Sequence, residues 1–76
     1  MIKYYITGID LQKLADNFNY KYDVPAIACD DGIIVDRNKF DLNMNLIPEK
    51  ERKLFSGVKY EFCWNRIESV YNIIDV

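Results

Sequence analysis

Residues 2–22 read Ile2-Lys3-Tyr4-Tyr5-Ile6-Thr7-Gly8-Ile9-Asp10-Leu11-Gln12-Lys13-Leu14-Ala15-Asp16-Asn17-Phe18-Asn19-Tyr20-Lys21-Tyr22. Within this stretch the apolar period changes from that of a strand to that of a helix. Ile2, Tyr4 and Ile6 alternate with Lys3, Tyr5 and Thr7, which predicts a strand with one buried face. Gly8 interrupts it. Thr7-Gly8-Ile9-Asp10 has the spacing of a capping box, with a hydroxyl and a carboxylate available to the free N–H groups of a helix start. Leu11, Leu14, Ala15, Phe18 and Tyr22 then form one apolar stripe, while Gln12, Lys13, Asp16, Asn17 and Lys21 face away. Pro25 holds Val24 out of the helical region, so the helix is expected to end between Asn19 and Tyr22.

Beyond this unit, Ala26-Ile27-Ala28-Cys29 and Ile33-Ile34-Val35 flank Asp30-Asp31-Gly32. An Asp-Gly pair between two β-prone runs predicts a hairpin whose central residues take positive φ. Neither arm alternates strictly, which places both near the centre of the sheet. Arg37-Asn38-Lys39 reads as a turn. Phe40, Leu42, Met44 and Leu46 alternate with Asp41, Asn43 and Asn45 and predict an edge strand or extended loop. Pro48 followed by Glu49-Lys50-Glu51-Arg52-Lys53 predicts a short helix, closed by Ser56-Gly57. Val58, Tyr60, Phe62 and Trp64 alternate with Lys59, Glu61 and Cys63 as a further strand, its aromatics expected to pack on Leu14 and Phe18. After it, a turn at Asn65-Arg66 aligns Ile67, Tyr71 and Ile73 with Trp64, Tyr60 and Val58. This hairpin is preferred over a helix carrying Ile67, Val70, Tyr71 and Ile74 on one stripe. The expected fold is therefore α+β: a small antiparallel sheet in the order β-α-β-β-β-(short α)-β-β, with one amphipathic helix packed on one face.

The chain has 76 residues, half of them hydrophobic, which suits a single compact domain over 1–76. A chain of this size buries about 60–65% of its unfolded surface, and its net stability is expected at about 4–11 kcal/mol. Ten basic and twelve acidic residues leave a net charge of −2. Residues 1–36 carry −3 and residues 37–76 carry +1. Neither part is a polybasic surface, so direct binding of nucleic acid is not expected. Histidine is absent, which removes the commonest general base and metal ligand. Cys29 and Cys63 lack C-x-x-C spacing and read as free thiols in a reducing compartment. No apolar run approaches membrane-spanning length and the N-terminus lacks a signal-peptide core, so a cytoplasmic protein is expected.

Candidate sites are few. Asp30, Asp31, Asp36 and Asp41 fall close together, but the spacing is not that of an EF-hand loop. Turn chemistry and strand-end solvation account for them, and neither a metal nor another cofactor is expected. Tyr60, Phe62 and Trp64 would suit base stacking only beside a positive groove. Tyr20, Lys21, Tyr22 and Asp23 at the helix end combine aromatics with charge, as interface anchors do. The hairpin tip at Asp30 and Asp31 adds a negative knob if it lies on the same side.

These features favour a non-enzymatic protein-binding module. Ile, Asn, Lys, Tyr and Phe supply 34 of the 76 residues, against 11 from Gly, Ala, Arg and Pro. This AT-rich codon bias suggests a phage or mobile-element inhibitor of a host defence enzyme, such as an anti-CRISPR. Two alternatives stand beside it. One is a self-associating structural protein forming homodimers through the Phe40–Leu46 edge. The other is a metal-dependent enzyme built on the Asp30–Asp41 cluster.

Overall fold

The computed structural model of the chain describes residues 1–63. Its elements are β1 (Ile2–Tyr4), α1 (Leu11–Tyr20), β2 (Ala26–Cys29), β3 (Gly32–Val35), α2 (Arg37–Leu42), α3 (Glu49–Arg52) and β4 (Tyr60–Phe62). Two 3-10 turns, Met44–Leu46 and Lys53–Phe55, follow α2 and α3. The four strands form one antiparallel sheet in the order β2-β3-β1-β4. β1 and β2 thus run the same way with β3 between them, a split β-α-β path of the ferredoxin-like kind. The α+β class is as expected, with a small antiparallel sheet and an amphipathic helix on one face. The hairpin expected beyond Trp64 lies outside the described residues.

The pleat explains which residues are inside. Tyr4, Ile33, Val35 and Ala26 point to the α1 side, where Leu14, Ala15 and Phe18 of the helix are buried. Residue 33 pairs with Tyr4, and Val35 pairs with both Ile2 and Ala26, so the apolar positions stand in register across three strands. Around Phe18 the core is aromatic. Its ring lies 5.4 Å from Tyr22, 5.8 Å from Phe40 and 5.4 Å from Phe55. Phe55 in turn meets Phe40 at 5.1 Å and Tyr4 edge-on at 4.9 Å. On the opposite sheet face Lys3 and Ile34 are paired neighbours and both nearly fully buried. The Lys3 ammonium reaches the Asp31 carboxylate at 2.8 Å, and this hydrogen bond raises its pKa.

Four local expectations are corrected. First, α1 is capped by Asp10, whose side chain accepts from the Lys13 N–H at 3.1 Å, and not by Thr7. Second, the β2–β3 turn consists of Asp30 and Asp31, with Cys29 paired to Gly32, and none of these residues has a positive φ. Gly32 serves a different purpose: a Cβ there would meet the Tyr4 carbonyl oxygen and come within 3.2 Å of the Tyr5 Cα. Absence of a side chain lets β3 approach β1. The two arms also differ in position, since β3 is central and fully buried whereas β2 is an edge strand among the described residues.

Third, Phe40–Leu46 is not a strand. Asp36 takes extended backbone and accepts from the Lys39 N–H at 3.1 Å, which starts α2 across the expected turn. Phe40 is buried on the core side, while Leu42 and Leu46 are exposed, so the alternation had no buried face behind it. The edge on which homodimerisation was based is therefore missing. Fourth, Tyr60 and Phe62 are not core residues: they are 56% and 77% exposed. The space beside Tyr4 is already filled by Phe55, and α1 lies over β2 and β3, toward the opposite edge of the same face.

The β2 edge is partly closed by a side chain. The Asn19 amide donates to the Ala26 carbonyl at 2.9 Å and its oxygen accepts from the Ala26 N–H at 2.8 Å. Asn19 thus takes the place of one residue of a further strand. Cys29 and Cys63 are free thiols. Among the described residues no helix is long and apolar enough to cross a membrane.

Candidate protein-binding surface

The residues singled out at the end of α1 and at the hairpin tip do not form one patch. Tyr20 is 84% exposed, but Tyr22 is only 7% exposed and packs edge-on against Phe18. Burial, with the Glu51 carboxylate beside it, pushes the Tyr22 phenol up to about 12. Lys21 caps the C-terminus of α1, its N–H bonding the Asn17 carbonyl. Asp23 holds a φ of 56°, a left-handed conformation usually left to glycine. The Asn43 amide secures this turn by donating to the Tyr22 and Asp23 carbonyls at 3.1 and 3.0 Å. Asp30 and Asp31 lie at the other end of β2, about 10 Å or more along the strand.

The four aspartates are equally separate in role, Asp30 standing in the β2–β3 turn. Asp31 pairs with Lys3, Asp36 caps α2, and Asp41 accepts from Arg37 Nε at 3.0 Å. No group of three or more potential metal-ligating side chains occurs among the described residues. Asp30, Asp31, Asp36 and Asp41 are thus not gathered into one such group.

A different surface gathers exposed aromatic and basic groups. β4 is an edge strand among the described residues, and Tyr60 and Phe62 stand on its α1-side face in register with Tyr4 and Ile2. Their rings meet edge-on at 6.2 Å, and Tyr60 lies 5.8 Å from Tyr4. Glu61, between them, faces the other way and accepts from the Tyr5 hydroxyl at 2.7 Å, which raises the Tyr5 pKa. Both charged and aromatic side chains of β4 are therefore oriented.

Arg37 adjoins this aromatic edge. Its Nη1 donates to the Tyr4 hydroxyl at 3.0 Å, its Nε donates to Asp41, and its guanidinium lies 4.2 Å from the Phe40 ring centre. Three anchors fix the group before any ligand arrives. It stands between two concavities. The smaller, of about 220 Å³, lies between Arg37, Ile2, Asn38 and Phe62. The larger, of about 410 Å³, has an apolar wall of Phe40, Met44 and Phe55 and a basic wall of Arg37, Arg52 and Lys53.

The surface can bury aromatic area and present guanidinium donors. Nothing in the spacing of Arg37, Arg52 and Lys53 marks them in the sequence. The positive balance of residues 37–76 was the only trace of them. No family model, curated protein or solved structure matches this chain.

Proposed function

We propose that this protein is a non-enzymatic protein-binding module that engages its partner through β4 and the groove between Phe62 and Arg37. The observation that carries this reading is the exposure of Tyr60 and Phe62, side by side on a strand that is an edge among the described residues, next to a fixed guanidinium. Aromatics of this kind supply most of the affinity of an interface, and a neighbouring charge orients the partner. The occupant is a protein segment bearing apolar side chains and an acid, since Arg37 lines the groove beside Phe62, Asp36 in the same lining is engaged in capping α2, and Glu61 is turned away and engaged. A mobile-element inhibitor of a host defence enzyme, acting in the cytoplasm, is the biological setting we infer from small size and codon bias.

The test is quantitative capture from native cells with the parent chain, with a Tyr60→Ser/Phe62→Ser variant and with Tyr20→Ser. A partner held at near-stoichiometric yield by the parent and by Tyr20→Ser, and lost by the β4 variant at unchanged melting temperature, supports the reading. Capture of no stoichiometric protein, or retention by the β4 variant, refutes it.

A further inference from the structure

We infer that the larger concavity beside α3 is a binding site for a phosphate group, free or carried as a monoester. This goes beyond partner binding and does not require it. The first argument is the donor count. A guanidinium carries five N–H donors and an ammonium three. Among the described residues Arg37 uses one donor on Tyr4 and one on Asp41, and Arg52 uses one, at 3.4 Å, on the Met44 carbonyl. Lys53 approaches Glu49 at 3.5 Å. Most donors of all three groups remain available, and all three line the same cavity of about 410 Å³.

Charge is the second argument. The chain as a whole is at −2, yet this concavity has three basic side chains and one acid, Glu49. A phosphate monoester carries about −1.5 to −2 charge at neutral pH and three strong acceptor oxygens, which suits converging arginines better than a single carboxylate does. Third, the site is prepared. Arg37 is held by Tyr4, Asp41 and Phe40, so little side-chain freedom is lost when an anion docks. Ser56 lines the same cavity and carries a hydroxyl, a neutral donor. Glu49 is the one acid of the lining, Asp41 offsets part of the Arg37 charge from outside it, and binding requires Lys53 to turn from Glu49 toward the anion.

Two arms separate the sources of such a group: inorganic phosphate, and a phosphoserine peptide with an aromatic residue nearby. Each is titrated calorimetrically against the full chain at constant ionic strength, with chloride as the control anion. Saturable binding of phosphate that falls about tenfold in Arg52→Gln and strengthens in Glu49→Gln is expected. Arg52 is the primary variant because Arg37 also supports Tyr4. Equal affinity in both arms identifies a free-phosphate site, and tighter binding of the peptide identifies a partner-borne phosphate. No saturable heat from either probe, or affinity indifferent to both Arg52→Gln and Glu49→Gln, overturns the inference.

Discussion

Phenylalanine to alanine at two positions of the same chain gives a direct measure of what the sheet and helices enclose. Phe18 is 0% exposed and its ring contacts Tyr22, Phe40 and Phe55 at 5.4, 5.8 and 5.4 Å. Deleting it removes the centre of the aromatic cluster and leaves a cavity, for which about 3–5 kcal/mol is the expected loss. Phe62 is 77% exposed, so about a quarter of its surface is buried. At about 1.5–3 kcal/mol for full burial, that fraction is worth about 0.4–0.8 kcal/mol. Its edge-on contact with Tyr60 adds little in water, and Phe62→Ala should lose no more than about 1 kcal/mol. Against a total of about 4–11 kcal/mol, the first substitution brings the fold close to failure and the second leaves it intact. Urea denaturation followed by circular dichroism reads both values. A Phe62→Ala loss equal to that of Phe18→Ala would show that β4 packs into the core and that the proposed surface is not free.

Gly32→Ala should cost more than about 2 kcal/mol, because the new methyl group meets the backbone of β1 and not a flexible side chain; a melting curve like that of the parent would refute the close approach. Asp10→Ala should cost about 1 kcal/mol and Thr7→Ala much less, the reverse of the capping-box expectation, measured by chemical denaturation. Tyr22 has its phenol raised from 10.0 to about 12. The stability owed to its neutral form is complete below about pH 10 and is lost as pH rises through about 12. Tyr22→Phe should flatten the stability profile in that window, and an unchanged alkaline slope would count against it.

How far the fold was legible follows from how local each signal is. β1 and α1 were readable because their periods repeat within a few residues, and the stripe Leu14, Ala15, Phe18 is buried as spaced. The β2–β3 hairpin was readable for its position but not for its reason, since the need for Gly32 comes from β1, far away in the sequence. Phe40–Leu46 misled because an alternating row of apolar residues looks the same whether or not a face covers it. Leu42 and Leu46 remain exposed, and the local competitor, the Asp36 cap with its Lys39 N–H, decided for helix. Tyr60 and Phe62 misled for a related reason: which aromatics enter the core depends on Phe55, delivered beside Tyr4 by a 3-10 turn that no period announces. The candidate surface inherits this difficulty. Arg37 and Arg52 belong to separate helices and meet only through the packing of α2 and α3 around Phe40 and Phe55.

The Asn19 bridge to Ala26 sets a limit on valency. Pro25, just before β2, has no N–H to offer, and both outward backbone groups of Ala26 are occupied by the Asn19 amide. Of β2, only Ala28 still presents its backbone outward. A chain with two open sheet edges can add copies head to tail without end, and such contacts build filaments. Among the described residues the β2 edge is stoppered in this way, so it offers no run of free backbone groups to a second strand. Growth into a fibre through this edge would first have to break Asn19 away from Ala26.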